Sequence, residues 1–229
     1  MRMLKRRDIR LFILCVLIFT LWPSIDLWTS RLFYTPEEGF IYEDLPIFQL
    51  VYALFAKLHF VLLPLLIYQA VRLNRHRNSS PFQRRAALFL LLSLLLGPGI
   101  LANVIIKDNS IGRARPSQIV EFGGQHDFAA AFEYSGACEK NCSFVSGHAA
   151  MGFWLISFAW VCASGRLFVA ACTVGALVGL TRIVQGGHFL SDVVFAFWLI
   201  YFTNLLLGHW MMLRSPYATP KNALAGHWA

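Results

Sequence analysis

Six apolar stretches, near 11–29, 47–72, 86–106, 147–164, 167–183 and 189–212, constrain this chain more than any other feature. Each comes close to the about 20 residues that a helix needs to cross a bilayer core. Hydrocarbon offers backbone N–H and C=O groups no partner, so such stretches resolve into helices, which satisfy those groups internally. The expected class is therefore all-α: a polytopic membrane protein with six transmembrane helices. Composition agrees, since 57% of the residues are hydrophobic and only 14% charged, where a soluble domain has about a quarter charged. The basic start "MRMLKRRDIR" could precede a cleavable signal, but no small-x-small site follows "LFILCVLIFTLWP", so an uncleaved first span is expected.

Charge placement sets the orientation. With the N terminus inside, Arg2, Lys5, Arg6, Arg7, Arg10, the basic segment 73–85, Arg166, Arg214 and Lys221 all fall on the cytoplasmic side, as the positive-inside rule demands. Both termini are then cytoplasmic. The formal charge of +8 reads as a topology signal, and no nucleic-acid partner is implied. No repeat divides the chain, so residues 1–229 are expected to form one integral membrane domain. Its catalytic core spans about 86–212, an extracytoplasmic loop 107–146 and a cytoplasmic tail 215–229. A connection as long as 107–146 is uncommon unless it works or is disordered. In the third span Gly97-Pro98-Gly99 should bend or open the helix, because proline lacks a backbone donor and clashes with the preceding turn.

The polar residues left over by hydropathy converge on one side. "KDNSIGRARP" (107–116) follows span three, "SFVSGH" (143–148) opens span four, and "TRIVQGGHFLSD" (181–192) turns from span five into span six. Lys107, Arg113, Arg115 and Arg182 supply cations, and arginine forks suit phosphate oxygens. Ser146 and Gly147 add backbone donors at a helix start, which favours an anion. His188 and Asp192 stand four apart, on one helix face. A carboxylate there can accept one ring N–H and leave the other nitrogen free to attack. His148, arriving on another helix, suits protonation of a leaving oxygen.

Singly, each residue has a bland account: Ser146 caps a helix, Asp192 complements a helix dipole, and Arg182 snorkels. Their conjunction does not. Together they describe a nucleophile, an acid and a cationic clamp for a phosphate.

These residues resemble the tripartite signature of the type 2 phosphatidic acid phosphatase superfamily, K-x6-RP, PSGH and SR-x5-H-x3-D. The resemblance covers about residues 107–192, and Arg182, His188 and Asp192 carry the family spacing. It implies that His188 accepts the phosphoryl group, with Asp192 as its partner and His148 as the acid. It also implies that Lys107, Arg115, Ser146, Gly147 and Arg182 hold the phosphate, that no metal or other cofactor takes part, and that the partner is a membrane lipid. Three positions depart from the pattern. Seven residues separate Lys107 from Arg115 where the family has six, so Arg113 could stand in for Lys107; Val145 replaces proline, and Thr181 replaces serine. The forms "GRARP" and "CSFVSGHAAMGF", with "DLWTSRLFYTPEEGF", are similar to the branch of bacterial lipid A phosphatases, which act on the 1- or 4'-phosphate at the outer face of the inner membrane. Undecaprenyl pyrophosphate, phosphatidylglycerophosphate and phosphatidic acid remain open as substrates, as does transfer to a second lipid.

Cys138 and Cys142 flank the approach to the Ser146 cluster in a compartment where disulfides persist, so a bridge between them is expected. Lys57 and His59 fall inside span two, where ionisable residues call for a function. Lys57 could face the lipid phosphate or pair with Glu43 or Asp44. No feature marks an obligate protein partner.

Overall fold

The computed structural model describes residues 6–109 and 111–216, so Arg2, Lys5 and Lys221, and all but Ser215 and Pro216 of the 215–229 tail, lie outside the described residues. The described residues contain eight α-helices: α1 (Arg7–Leu21), α2 (Ser24–Arg31), α3 (Pro46–Arg75), α4 (Pro81–Leu94), α5 (Gly147–Phe153), α6 (Ser157–Val161), α7 (Gly165–Val184) and α8 (Leu190–Trp210). Four helical segments are long and apolar enough to cross a membrane: α3, α4 with its continuation to Lys107, α7 and α8. The pair α1–α2 makes a fifth if it is read as one bent span.

Local sequence explains the ends. Ser80 and Gln83 exchange hydrogen bonds in a capping box ahead of Pro81, which starts α4 with its missing N–H where none is needed. Ser146 and Ser164 accept backbone N–H groups at the starts of α5 and α7. Stretch 11–29 is not one helix, contrary to the sequence expectation: the chain bends by 82° between α1 and α2. Pro23 sits in the break, where its ring and missing donor prevent the helix from continuing.

Beyond Leu94 the fourth helix winds as a π-helix from Leu95 to Lys107. Pro98 lies inside it and cannot donate, and the amides of Asn103 and Asn109 reach back to the carbonyls of Pro98 and Val104, both at 2.7 Å. π-Helical turns cluster at functional sites because they re-aim side chains. Here the π-stretch ends on Lys107.

α5 and α6, joined by a 3-10 turn over Trp154–Ile156, form a shorter apolar helix. Small residues let it approach α7: a side chain on Gly152 would lie 3.0 Å from the Gly175 Cα, and one on Gly175 would run into the Phe153 ring. Between α4 and this helix, Ser93 bonds Ser157 at 3.1 Å and accepts the Trp154 indole N–H at 2.9 Å. α1 leans on α8 through Phe12, edge-on to Phe195, Trp198 and Phe202.

The described part of the connection 107–146, residues 107–109 and 111–146, is held by backbone hydrogen bonds. Its Ile111–Arg113 strand-like stretch bonds the 135–143 return through Ser135, Cys138 and Ser143 N–H groups at 2.8–3.0 Å. A small hairpin, Tyr34–Thr35 with Gly39–Phe40, and an isolated bridge between Ile119 and His126 add β pairing to the helical fold among the described residues. The hairpin's Tyr34 and Phe40 rings pack on Phe122, binding segment 30–46 to the long loop.

Candidate active site

Three turns deliver the polar residues to one place. α7 ends at Val184, and the carbonyl of Arg182 then accepts the N–H groups of Gly187 and His188 at 2.9 and 3.2 Å, which folds the chain back sharply. Gly186 takes a positive φ of 62° in this turn, a conformation that favours glycine. Gly187 is required sterically, since a Cβ there would strike the Arg182 guanidinium. The motif spacing between Arg182 and His188 is thus a tight return, with both side chains buried and within electrostatic reach of each other. α5 starts beside this turn: the Ser146 N–H donates to the Asp192 carbonyl at 3.1 Å, tying the 146–148 segment to α8. A Cβ on Gly147 would meet the Asn103 side chain, so the π-helix packs directly on the start of α5.

His148 is within electrostatic reach of Arg182, His188, Lys107 and Arg115. Lys107 is buried at the end of the π-helix and couples to Arg115, Arg182 and Asp192. Arg115 is half-buried and donates to the Asn141 carbonyl at 2.9 Å. Asn141 is itself fixed by its N–H to the Asp108 carboxylate at 2.8 Å. Arg182 donates to the Gln185 side chain at 2.5 Å and lies 4.7 Å over the Tyr52 ring. Lys107, Arg115 and Arg182 form no salt bridge among the described residues. Buried and uncompensated cations are costly, and a shared anion is the physical remedy.

The buried nitrogens tell the same story. Among the described residues, both ring nitrogens of His188, Nε2 of His148 and Nε of Arg182 have no close hydrogen-bond partner, the Ser143 backbone and the Asp192 carboxylate at 3.5 Å being the polar groups beside His188, although buried polar atoms are nearly always paired. Complete burial, then the charges of Lys107, Arg182 and Arg115, hold the His188 imidazole well below its ordinary range. It is therefore neutral near pH 7, with a lone pair available for attack. Burial likewise lowers Arg115, while Tyr52 and Asp192 support its charge.

Asp192 stands beside His188 as expected, its Oδ2 3.5 Å from Nδ1, a separation longer than a strong hydrogen bond. The carboxylate is held in place by the Ser143 hydroxyl at 2.5 Å, the Phe189 N–H at 2.8 Å and Arg113 at 2.8 Å. One expectation changes: Arg113 does not stand in for Lys107 at a phosphate. Its side chain is fully buried, and its nitrogens are committed to the Ala129 carbonyl at 2.9 Å and to Ser191, Asp192 and Asp26, each at 2.8 Å. Two carboxylates draw this guanidinium away from the cationic cluster, and stacking on Phe189 at 4.1 Å fixes its plane.

Asp26 and Tyr52 were missed by sequence reasoning. Asp26 is fully buried; besides Arg113 it accepts the Ser191 N–H and hydroxyl at 2.8 and 2.5 Å. An acid inside an apolar stretch was the available signal. Tyr52 stacks on His148 at 4.5 Å between centroids and 23° between planes. Nothing local distinguishes it from a lipid-facing aromatic. Lys57, by contrast, is exposed on α3 and makes no ion pair with Glu43 or Asp44. His59 lies against Phe60. Cys138 and Cys142 are bridged, with Cα atoms 5.5 Å apart, just ahead of Ser143.

The sequence profile of the PAP2 superfamily matches residues 86–216, more than half of the chain. The chain belongs to the PAP2 superfamily. Among PAP2 relatives, a lipid A 4'-phosphatase of Francisella tularensis subsp. novicida (strain U112) is 40% identical over 58% of this chain and 62% of its own length. One from Rhizobium leguminosarum is 34% identical over 77% of this chain and 83% of its own. A lipid A 1-phosphatase of Rhizobium johnstonii (strain DSM 114642 / LMG 32736 / 3841) is 29% identical over 64% and 53%. This chain thus spans less than two thirds of the Francisella protein. No solved structure matches it. Asp26 and Tyr52 lie outside the PAP2 profile, so two residues of the site come from the N-terminal part of the chain.

Proposed function

We propose that this protein is a bacterial inner-membrane phosphatase that removes the 4'-phosphate of lipid A through a phosphohistidine on His188. One observation carries the reading: a neutral, buried imidazole lies among three cations that form no salt bridge among the described residues. The choice of the 4'-phosphate rests on the relatives bearing that name, which are 32–40% identical, against 29–32% for those named 1-phosphatases.

The chemistry follows from the groups. Lys107, Arg115 and Arg182 hold the three phosphate oxygens, with the Ser146 and Gly147 end of α5 adding its dipole, and they spread the charge that grows in the transition state. A His188 ring nitrogen attacks phosphorus; a P–N bond forms and the P–O bond to the sugar breaks. His148 donates a proton to the departing oxygen, then takes one from water as that water attacks phosphorus. Phosphate leaves and His188 returns to neutral imidazole. As attack makes the ring cationic, its N–H can close on Asp192, whose three anchors keep the carboxylate in place. The chain would cross the membrane six times, with α1–α2 and α5–α6 as the irregular spans. Both termini are then cytoplasmic, and the site faces the periplasm.

The test uses purified protein with lipid A labelled at the 4'-phosphate. Free labelled phosphate, a labelled His188 in a rapid acid quench, and loss of at least about 10^3-fold in kcat in His188→Ala are expected. Label transferred to a second lipid, or retained activity in His188→Ala, overturns the reading.

A further inference from the structure

Arg113, Asp26 and Asp192 form a buried cluster whose charges do not cancel, since one guanidinium faces two carboxylates. Every oxygen of both acids meets an obligate donor. Asp26 Oδ1 accepts the Ser191 N–H and Oδ2 the Arg113 Nη2, while Asp192 Oδ1 accepts the Arg113 Nη1 and Oδ2 the Phe189 N–H, all at 2.8 Å. Hydrogen bonds donated to a carboxylate favour its ionised form. One negative charge is therefore left in excess within the cluster. Ser191 locks the arrangement: its hydroxyl accepts from Arg113 Nη1 at 2.8 Å and donates to Asp26 Oδ2 at 2.5 Å. Asp26 itself stands on α2, outside the segment 86–216 that carries the family's motifs.

The two acids do not face the same groups. Asp26 is coupled to Arg113 and Asp192, whereas Asp192 lies 3.5 Å from His188 Nδ1 and reaches Lys107 and Arg115 electrostatically. With Nδ1 turned to Asp192, Nε2 is the nitrogen left for phosphorus. As the P–N bond forms there and the P–O bond to the sugar breaks, the leaving oxygen takes its proton from His148, and the His188 ring keeps its Nδ1 proton and becomes cationic. The ring then needs an anion beside it. If Asp192 were the sole partner of Arg113, the ring would face a closed ion pair, whose two opposed charges largely cancel at the ring. We propose that Asp26 is a positioning residue for phosphoryl transfer: by engaging Arg113 it leaves the negative charge of Asp192 to His188 as the ring turns cationic. This rests on the phosphohistidine reading above.

Removing the charges in turn tests it, with Asp26→Asn, Arg113→Gln and the double variant assayed on 4'-labelled lipid A. Asp26→Asn keeps the shape of the acid and is expected to lower kcat by at least about tenfold while KM stays within about twofold, as the loss of one nearby unit charge does at an effective dielectric of about 20. In the Arg113→Gln background the same change removes an acid that has lost its cation, so kcat should rise instead of falling further. Two inhibitors supply a readout that packing damage does not move. Vanadate can take a ring nitrogen of His188 as an apical ligand, which leaves the ring cationic, whereas inorganic phosphate is held by the clamp alone. Asp26→Asn should weaken vanadate about tenfold and leave phosphate inhibition unchanged, and the double variant should regain vanadate affinity. Where thermal unfolding in detergent shows that Asp26→Asn does not fold, the double variant compared with Arg113→Gln carries the same test. An unchanged kcat in Asp26→Asn, losses that add across the two positions, or equal weakening of vanadate and phosphate overturns the proposal. The two readings fail differently. Labelled His188 in the acid quench together with additive losses sinks the role of Asp26 alone, whereas turnover without labelled His188 sinks the phosphohistidine reading.

Discussion

Replacing Arg113 by leucine tests the assignment that departs most from the sequence pattern. The guanidinium has no solvent exposure and bridges Asp26 and Asp192, two carboxylates with side chains 1% and 0% exposed. Its removal leaves both acids without a counter-charge, and truncating one partner of a buried pair costs about 3–5 kcal/mol. One carboxylate would then take up a proton, which limits the total to about that range and not twice it. For a chain of this size each kcal/mol moves the midpoint by about 2–4 °C, giving a fall of roughly 6–20 °C. Thermal unfolding in detergent measures this. Arg113→Lys keeps the charge but not the fork, and should recover only part of the loss. Asp26→Asn retains hydrogen-bonding shape and should cost less, about 1–3 kcal/mol. Activity should fall chiefly in kcat, because Asp192 loses an anchor. If Arg113→Leu instead raised KM for lipid and left the midpoint within about 1 kcal/mol of the parent, as an exposed ion pair would, then Arg113 would be a phosphate ligand and the argument would fail.

Arg115→Gln should lower kcat by about 10^2–10^3-fold. It should also move the acid limb of kcat/KM to higher pH: burial and three cations hold His188 down, so removing one cation lets the imidazolium form more readily. Comparing the two proteins on one substrate cancels the ionisation of the phosphate itself, and a limb that stays put or moves down contradicts the electrostatic account. Gly187→Ala should cost activity by displacing Arg182, and in an Arg182→Ala background the same change should cost almost nothing, a non-additivity expected of touching groups; additive losses would refute the contact. Tyr52→Phe preserves the ring against His148 and Arg182 and should keep activity near that of the parent. Tyr52→Leu should lose about three- to thirtyfold in kcat/KM, and equal losses in both variants would mean that the hydroxyl and not the ring matters.

Hydropathy made the membrane-helical class legible, because the requirement that a backbone satisfy itself in hydrocarbon acts on each stretch alone. Hydropathy did not reveal that the first stretch breaks at Pro23 or that the fourth apolar helix is short and interrupted, since neighbouring helices can shelter such irregularities. The cluster of Lys107, Arg115, His148, Arg182 and His188 was visible as well, for each residue sits where a span meets a turn. Arg113 was read in the wrong direction for a plain reason. Two residues from Arg115, in a loop of extended chain, nothing local says which arginine turns inward.

The sequence by itself therefore determined the apolar helices, the polar turns between them, and the chemical types available there, all being properties of short segments. Only the tertiary structure decided that Arg113 neutralises carboxylates while Lys107, Arg115 and Arg182 form no salt bridge among the described residues. It alone brought Asp26 to Ser191 and Tyr52 to His148. Those outcomes depend on burial and on pairings between residues as much as 165 positions apart, where electrostatic and steric competition among distant groups, not local preference, selects each partner.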